Sequence, residues 1–170
     1  MKYVAALTLC AVFSAQAGSE MCFTRAGHDY GIDPLLLTAI SIKESRLKMN
    51  AVNGANSNKT EDVCGMQVNS SHYAALQKFN ITRDRLLHDP CICVYSGAWV
   101  LAHNFRSYGK NWDSVGMYNT GPSPKLIKQR RAYAGDIKNI YRILLAREMV
   151  SAKHSAVPAP LFSSGKGSPR

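Results

Sequence analysis

Asp33-Pro34, followed by Leu35, Leu36, Ala39, Ile40 and Lys43, specifies a helix more firmly than any other stretch of this chain. Aspartate at an N-cap accepts orphan amide protons, and proline suits the first helical position because its missing N–H would have no partner there. Leu36, Ile40 and Lys43-Glu44 fall on one side, so the helix carries its apolar face to its C-terminal edge and sets Glu44 between core and water. A carboxyl group held partly desolvated has a raised pKa and stays protonated near neutrality, as a general acid must. A solvated glutamate beside Lys43 and Arg46 would fit the same position, and only residues further along the chain decide between the two.

Helical periodicity dominates the rest. Residues 22–30 predict a short first helix ended by the turn at Tyr30-Gly31. Residues 51–62 are polar and rich in Asn and Gly, predicting a loop or a small irregular hairpin near 51–68. Ser70 or Ser71 caps a helix to about residue 79, and residues 82–87 form another, stopped at Asp89-Pro90. A long apolar helix is predicted over 91–108, a short one over 112–118, and a basic one from 124 to about 150, with a break near Gly135. No convincing strand pair and no internal repeat is visible, so the fold class is mainly α.

Lys2 precedes an apolar run over residues 3–13 and then Ser14-Ala15-Gln16-Ala17, the form of a secretory signal peptide cut after Ala17. That run is too short for a permanent bilayer anchor. Beyond it lie Cys22, Cys64, Cys91 and Cys93, an even number that favours disulfides in an exported chain, with three pairings open. Cys91-Ile92-Cys93 has neither a second C-x-C nor an H-x-x-x-H beside it, so no metal and no other cofactor is expected. A formal charge of +10 favours polyanions such as nucleic acid, anionic lipid or an acidic wall polymer. Without a base-stacking motif or a recognised basic module, nucleic acid is not expected as a partner. The expected organisation is a leader over 1–17, one domain over 18–150, and a disordered basic tail over 151–170.

Four segments occur in a characteristic order: Glu44-Ser45 at a helix end, GMQVNSSHY at 65–73, GAWVLAHNF at 97–105 and MYNTG at 117–121. With Cys22-Phe23, Ala26-Gly27, Tyr30-Gly31-Ile32, Pro34 and Leu87-His88-Asp89-Pro90-Cys91, this set resembles the soluble lytic transglycosylase family, whose domain is like goose-type lysozyme. More narrowly, it is similar to the small specialised members encoded with conjugation, type IV pilus and type III or IV secretion systems. The resemblance spans about residues 21–143, nearly the whole expected domain.

The resemblance implies a periplasmic, monomeric enzyme that cleaves the β-1,4 bond between N-acetylmuramic acid and N-acetylglucosamine in peptidoglycan, opening the wall for such an apparatus. Glu44 would be acid and then base, giving a 1,6-anhydro product, a role that needs one tuned carboxyl group where a hydrolase usually needs two. Asp62 is therefore weighed as a second catalytic acid that stabilises the oxocarbenium-like transition state, against a solvated loop aspartate beside Glu61. By the same matching Ser45 orients Glu44 or the glycan, Met66 and Gln67 line the cleft, Tyr118 and Asn119 hold Glu44 and substrate, and Tyr133 or Tyr141 closes the cleft. For Met66 a core thioether is an equal alternative. His72 and His103 are read as structural.

The turn departs from the family pattern Gly-Leu-Met-Gln by reading Cys64-Gly65-Met66-Gln67. Members commonly join the N-terminal cysteine to the one after Asp-Pro, which implies Cys22–Cys91 and leaves Cys64–Cys93 as a second bridge. Two rivals remain, a lysozyme-type hydrolase using Glu44 with Asp62, and a non-catalytic peptidoglycan-binding assembly factor.

Overall fold

The computed structural model describes residues 13–56 and 59–155. Its order is α1 (Phe13–Tyr30), α2 (Pro34–Ser45), β1 (Val52–Asn53), β2 (Asp62–Val63), β3 (Val68–Asn69), a 3-10 turn at Ser70–His72, α3 (Tyr73–Gln77), α4 (Arg83–His88), α5 (Pro90–Tyr108), α6 (Trp112–Thr120), a second 3-10 turn at Pro124–Leu126 and α7 (Ile127–Ser155). The molecule is mostly helical, as its periodicity predicts.

Helix α5 is the axis of the core. Asp89 caps it by accepting from the amides of Cys91 and Ile92, Pro90 opens it, and Gly109 ends it at φ 82°. Cys93, Val94, Ala98 and Leu101 are fully buried on it, against α1, α2, α4, α6 and β3. Cys22–Cys91 ties α1 to its first turn, and Cys64–Cys93 ties the turn after β2 to the next one. Both bridges follow the pairing that the resemblance implied.

Helix α7 runs antiparallel along α2, held at three heights. Tyr141 donates to Asp33 Oδ2 at 2.6 Å, Tyr133 donates to Glu44 Oε1, and Lys43 pairs with Asp136 at 2.6 Å. Asp33 also caps α2 through its other oxygen, which accepts from the Leu35 amide at 2.8 Å.

Three expectations need correction. Residues 52–69 form a three-stranded antiparallel sheet in the order β1-β2-β3, with Val52 opposite Val63 and Asp62 opposite Asn69. Strands of two residues show no period-2 alternation in sequence, so they read only as an irregular hairpin. Helix α7 does not break at Gly135. That glycine is exposed, and its cost of about 1 kcal/mol in a helix is outweighed by the packing of Tyr133, Ala134 and Ile137 on either side of it. The helix expected over 70–79 is instead a 3-10 turn and a five-residue helix. Helix α1 starts at Phe13 and runs through the position after Ala17 where a cut is expected, and residues 1–12 of the expected leader lie outside the described residues. The tail's first five residues continue α7 to Ser155, and residues 156–170 also lie outside.

Candidate active site

Helix α2 stops abruptly, and the stop presents the acid. Arg46 and Leu47 take left-handed φ values of 56° and 63°. Their amides return to the carbonyls of Ile42 and Ser41, a Schellman-type closure that turns the chain away directly after Glu44-Ser45. Ser41 and Ser45 both donate to the carbonyl of Gly65, at 2.9 and 2.8 Å. Ser45 therefore anchors the neighbouring turn to the helix; no hydrogen bond joins it to Glu44 among the described residues.

That turn, Cys64-Gly65-Met66-Gln67, begins and ends in left-handed residues, Cys64 at φ 64° and Gln67 at φ 49°. The cysteine stands where the family's pattern has glycine and adopts the backbone that glycine would supply freely. Its bridge to Cys93 and the Gln67 amide bond to its carbonyl, at 3.0 Å, hold it there. The Gln67 side chain donates to the same carbonyl at 2.9 Å, and the Met66 amide meets Cys93 Sγ at 3.3 Å. Met66 points inward rather than into the cleft. It is fully buried, and it packs so closely on Gly97 that a Cβ there would lie 2.6–2.9 Å from its side-chain atoms. The expectation of a substrate contact is replaced by the core thioether. Its carbonyl is what serves the site, accepting from Tyr118 at 2.8 Å.

A cleft of about 620 Å³ opens over this turn. Glu44, Asp62, Gln67, Tyr118 and Asn119 line it together. Glu44 is partly buried, and Oε1 accepts from the buried Tyr133 at 2.5 Å. Burial lifts its pKa above the ordinary carboxyl value; the Tyr133 hydrogen bond pulls it down, the Asp62 charge pushes it up and Lys43 pulls it down, with the net direction upward. Burial, and then the charge of Glu44, hold the phenols of Tyr118 and Tyr133 well above their usual range, so both remain protonated donors. Tyr118 approaches the site through Met66 rather than through a bond to Glu44. Tyr141, the alternative to Tyr133, sits instead at the start of α2 on Asp33.

Asp62 is no solvated loop acid. Oδ2 accepts from Asn56 at 2.8 Å and Oδ1 from Asn69 at 2.7 Å, while both amides also donate to Thr60 Oγ1. Asn69 uses its own oxygen to cap the following 3-10 turn at Ser71, which fixes the orientation of its amide. Both amides went unread as site residues. Asn69 lies inside the GMQVNSSHY segment, whereas nothing in sequence points to Asn56.

Two further features were missed. His72 and His103, read as structural, both line the cleft and flank Trp99, with ring centroids 5.8 and 6.2 Å from it. Burial lowers the pKa of His72, followed by the charge of His103. Arg130, buried on α7, donates to the carbonyls of Gly121 and Ser123 at 2.9 and 2.8 Å and pairs with Asp113 at 3.2 Å. It thereby staples the turn after α6, whose Thr120, Gly121 and Pro122 form one wall of the cleft. In sequence Arg130 was one more member of a basic run.

The arrangement supplies one carboxyl group tuned upward in pKa, a phenol bound to it, and a carboxylate held by amides across the same cleft. Such a set suits proton transfer to and from a hydroxyl-rich ligand. Comparison with known proteins agrees. Residues 21–141 match the transglycosylase SLT domain. The X polypeptide of Escherichia coli K12 is 41% identical over 138 residues, 79% of this chain and 81% of its own. Protein IpgF of Shigella flexneri is 38% identical over 129 residues, 76% of this chain and 84% of its own. The invasion protein IagB of Salmonella typhimurium LT2 is 41% identical over 123 residues, 72% and 76% of the two chains. This chain therefore belongs to the transglycosylase SLT family, and it is an enzyme of the lytic transglycosylase class acting on peptidoglycan.

Proposed function

We propose that the enzyme cleaves the β-1,4 bond between N-acetylmuramic acid and N-acetylglucosamine with Glu44 transferring both protons. Protonated Glu44 gives its proton to the glycosidic oxygen as the C1–O bond breaks. The resulting carboxylate then takes the proton of the muramic C6 hydroxyl, whose oxygen bonds to C1 and closes the 1,6-anhydro ring. Asp62, held by Asn56 and Asn69, faces the positive charge that develops at C1. Gln67 and Asn119 offer amides to sugar hydroxyls or N-acetyl groups.

The observation that carries this reading is the placing of Glu44, a partly buried carboxyl group on the cleft to which Tyr133 alone donates among the described residues, and burial there favours its protonated form. The test is mass spectrometry of muropeptides released from purified sacculi, with Glu44→Gln as control. Glu44-dependent products lighter by one water and lacking a reducing end are expected. Reducing muramic ends would instead establish a hydrolase. That second reading draws support from Asp62, a carboxylate on the same cleft as Glu44.

We further propose export to the periplasm, on the strength of the leader-like residues 1–17, and local opening of the wall for a transfer, secretion or pilus apparatus. A relative named as an invasion protein supports the second point. Deleting the gene should impair assembly of that apparatus, with rescue by the natural chain and none by Glu44→Gln.

A further inference from the structure

The outward side of α7 carries a row of positive charge that the cleft does not use. At about 100° per residue, Lys128, Arg131, Lys138, Arg142 and Lys153 lie between about 120° and 220° round the helix from Tyr133, the residue that points to Glu44. Both acids of the helix, Asp136 and Glu148, lie within about 60° of Tyr133 and so outside this sector. The row is about 37 Å long at 1.5 Å per residue. Four of its five basic residues are exposed, and Lys138 is half-buried with Nζ 5.5 Å from the Trp112 ring. Beside Arg131 and Lys138 lies a shallow recess of about 360 Å³, floored by Ala134 and Gly135. Its one acid, Asp113, is paired with Arg130.

Three large apolar side chains share the sector: Ile127, 40% exposed, at its start, and a pair farther along. Leu145 is 38% exposed and Met149, one turn on, 58% exposed, and Arg142 and Lys153 bracket them. A soluble polyanion would satisfy the charges and leave this pair in water. A bilayer takes both, with headgroup phosphates on the cations and the acyl boundary around Leu145 and Met149.

We infer that this stripe is the face by which the protein lies on an anionic lipid surface, with the catalytic cleft turned away from it. The stripe lies on the side of α7 away from Tyr133, the residue that bonds Glu44, so a bound enzyme holds Glu44 on the far side of α7 from the lipid. Bilayer binding and glycan cleavage are separate properties of this fold, and each can fail without the other.

The test is co-sedimentation of the purified protein with phosphatidylglycerol–phosphatidylcholine vesicles against pure phosphatidylcholine vesicles. Binding only to the anionic vesicles is expected. Lys138→Glu with Arg142→Glu should weaken it by at least about 20-fold, at roughly fivefold per charge neutralised. Lys78→Glu with Arg106→Glu, an equal change of net charge away from α7, should weaken it far less. Leu145→Ser with Met149→Ser should lower binding and make the remainder more salt-sensitive. Muropeptide release by all three double variants should stay at the natural level. Absence of vesicle binding, equal loss in both charge pairs, or indifference to Leu145 and Met149 together with equal binding to soluble polyglutamate would each overturn the inference.

Discussion

Tyr133 on α7 donates its phenolic proton to Oε1 of Glu44, across 89 residues of sequence, and is the group that brings the longest helix to the reacting carboxyl. The bond stabilises the ionised form of Glu44 and so opposes the effect of burial. Removing it in Tyr133→Phe should raise the Glu44 pKa further. The alkaline limb of the kcat/KM–pH profile, where the acid loses its proton, should move to higher pH. Muropeptide release at neutral pH should fall by roughly tenfold or more as the carboxyl loses its orientation.

Asp62 acts on the same carboxyl with the opposite sign, because its charge raises the Glu44 pKa. Asp62→Asn should move the alkaline limb to lower pH. If the carboxylate also stabilises charge at C1, kcat should fall by about 10²–10³-fold. Unchanged turnover would remove Asp62 from the chemistry. Thermal unfolding belongs beside this assay, since an amide at this position would set a donor against Asn56 or Asn69.

Glu44→Gln should cost about 10²–10⁴-fold in muropeptide release, and it should also stabilise the fold. A carboxyl whose folded-state pKa is raised contributes stability that is complete below its unfolded pKa and lost as pH rises through the folded one. At neutral pH the natural enzyme carries that penalty and the glutamine variant does not. The variant's Tm should exceed the natural one at neutral pH, and the gap should close on acidification below the ordinary carboxyl range.

Replacing Cys64 and Cys93 together by alanine should lower unfolding stability by about 2–4 kcal/mol in urea titrations, the usual effect of freeing a loop of this order. Activity should fall as well, because Cys64 at φ 64° loses the tether that holds a non-glycine residue there.

Gly97→Ala should destabilise by about 1–3 kcal/mol, as overpacking does. The added methyl would press on Cε, Cβ and Cγ of Met66, and of these Cβ moves only with the turn itself. The displacement should reach the cleft through the Met66 carbonyl and Tyr118, raising KM more than it lowers kcat.

Signals confined to a few neighbouring residues were legible. Asp33-Pro34 announced its helix because caps act within three residues, and the structure shows Asp33 capping as expected; Asp89-Pro90, read only as the stop of the helix before it, also caps the helix that follows. Glu44 could be placed at a helix end for the same reason. Met66 could not be assigned, because a thioether suits a core and a cleft equally and only its packing on Gly97 decides. Gly135 misled because a local propensity was read without the helix packed beneath it. Arg130 and Asn56 owe their roles to partners set by tertiary contact, Arg130 to carbonyls across an inter-helix turn and Asn56 to an acid in the adjoining strand. His72 looked solitary because Trp99 reaches it only in space, whereas Trp99 and His103, four residues apart on α5, were a pair that helical spacing could have shown.

The inward-turned polar groups of residues 64–67 limit how this enzyme could be given a new preference. Gly65 is gripped by two serines, Met66 is occupied at both its amide and its carbonyl, and Cys64 is bridged. Variation there would be spent on restoring the turn. The opposite wall is different: Arg130 fixes its backbone from behind, while Asn119 and Pro122 are exposed and line the cleft. A library randomised at Asn119, Pro122 and His103 should therefore yield folded enzymes with altered glycan selectivity, whereas one randomised at 64–67 should yield mostly unfolded chains.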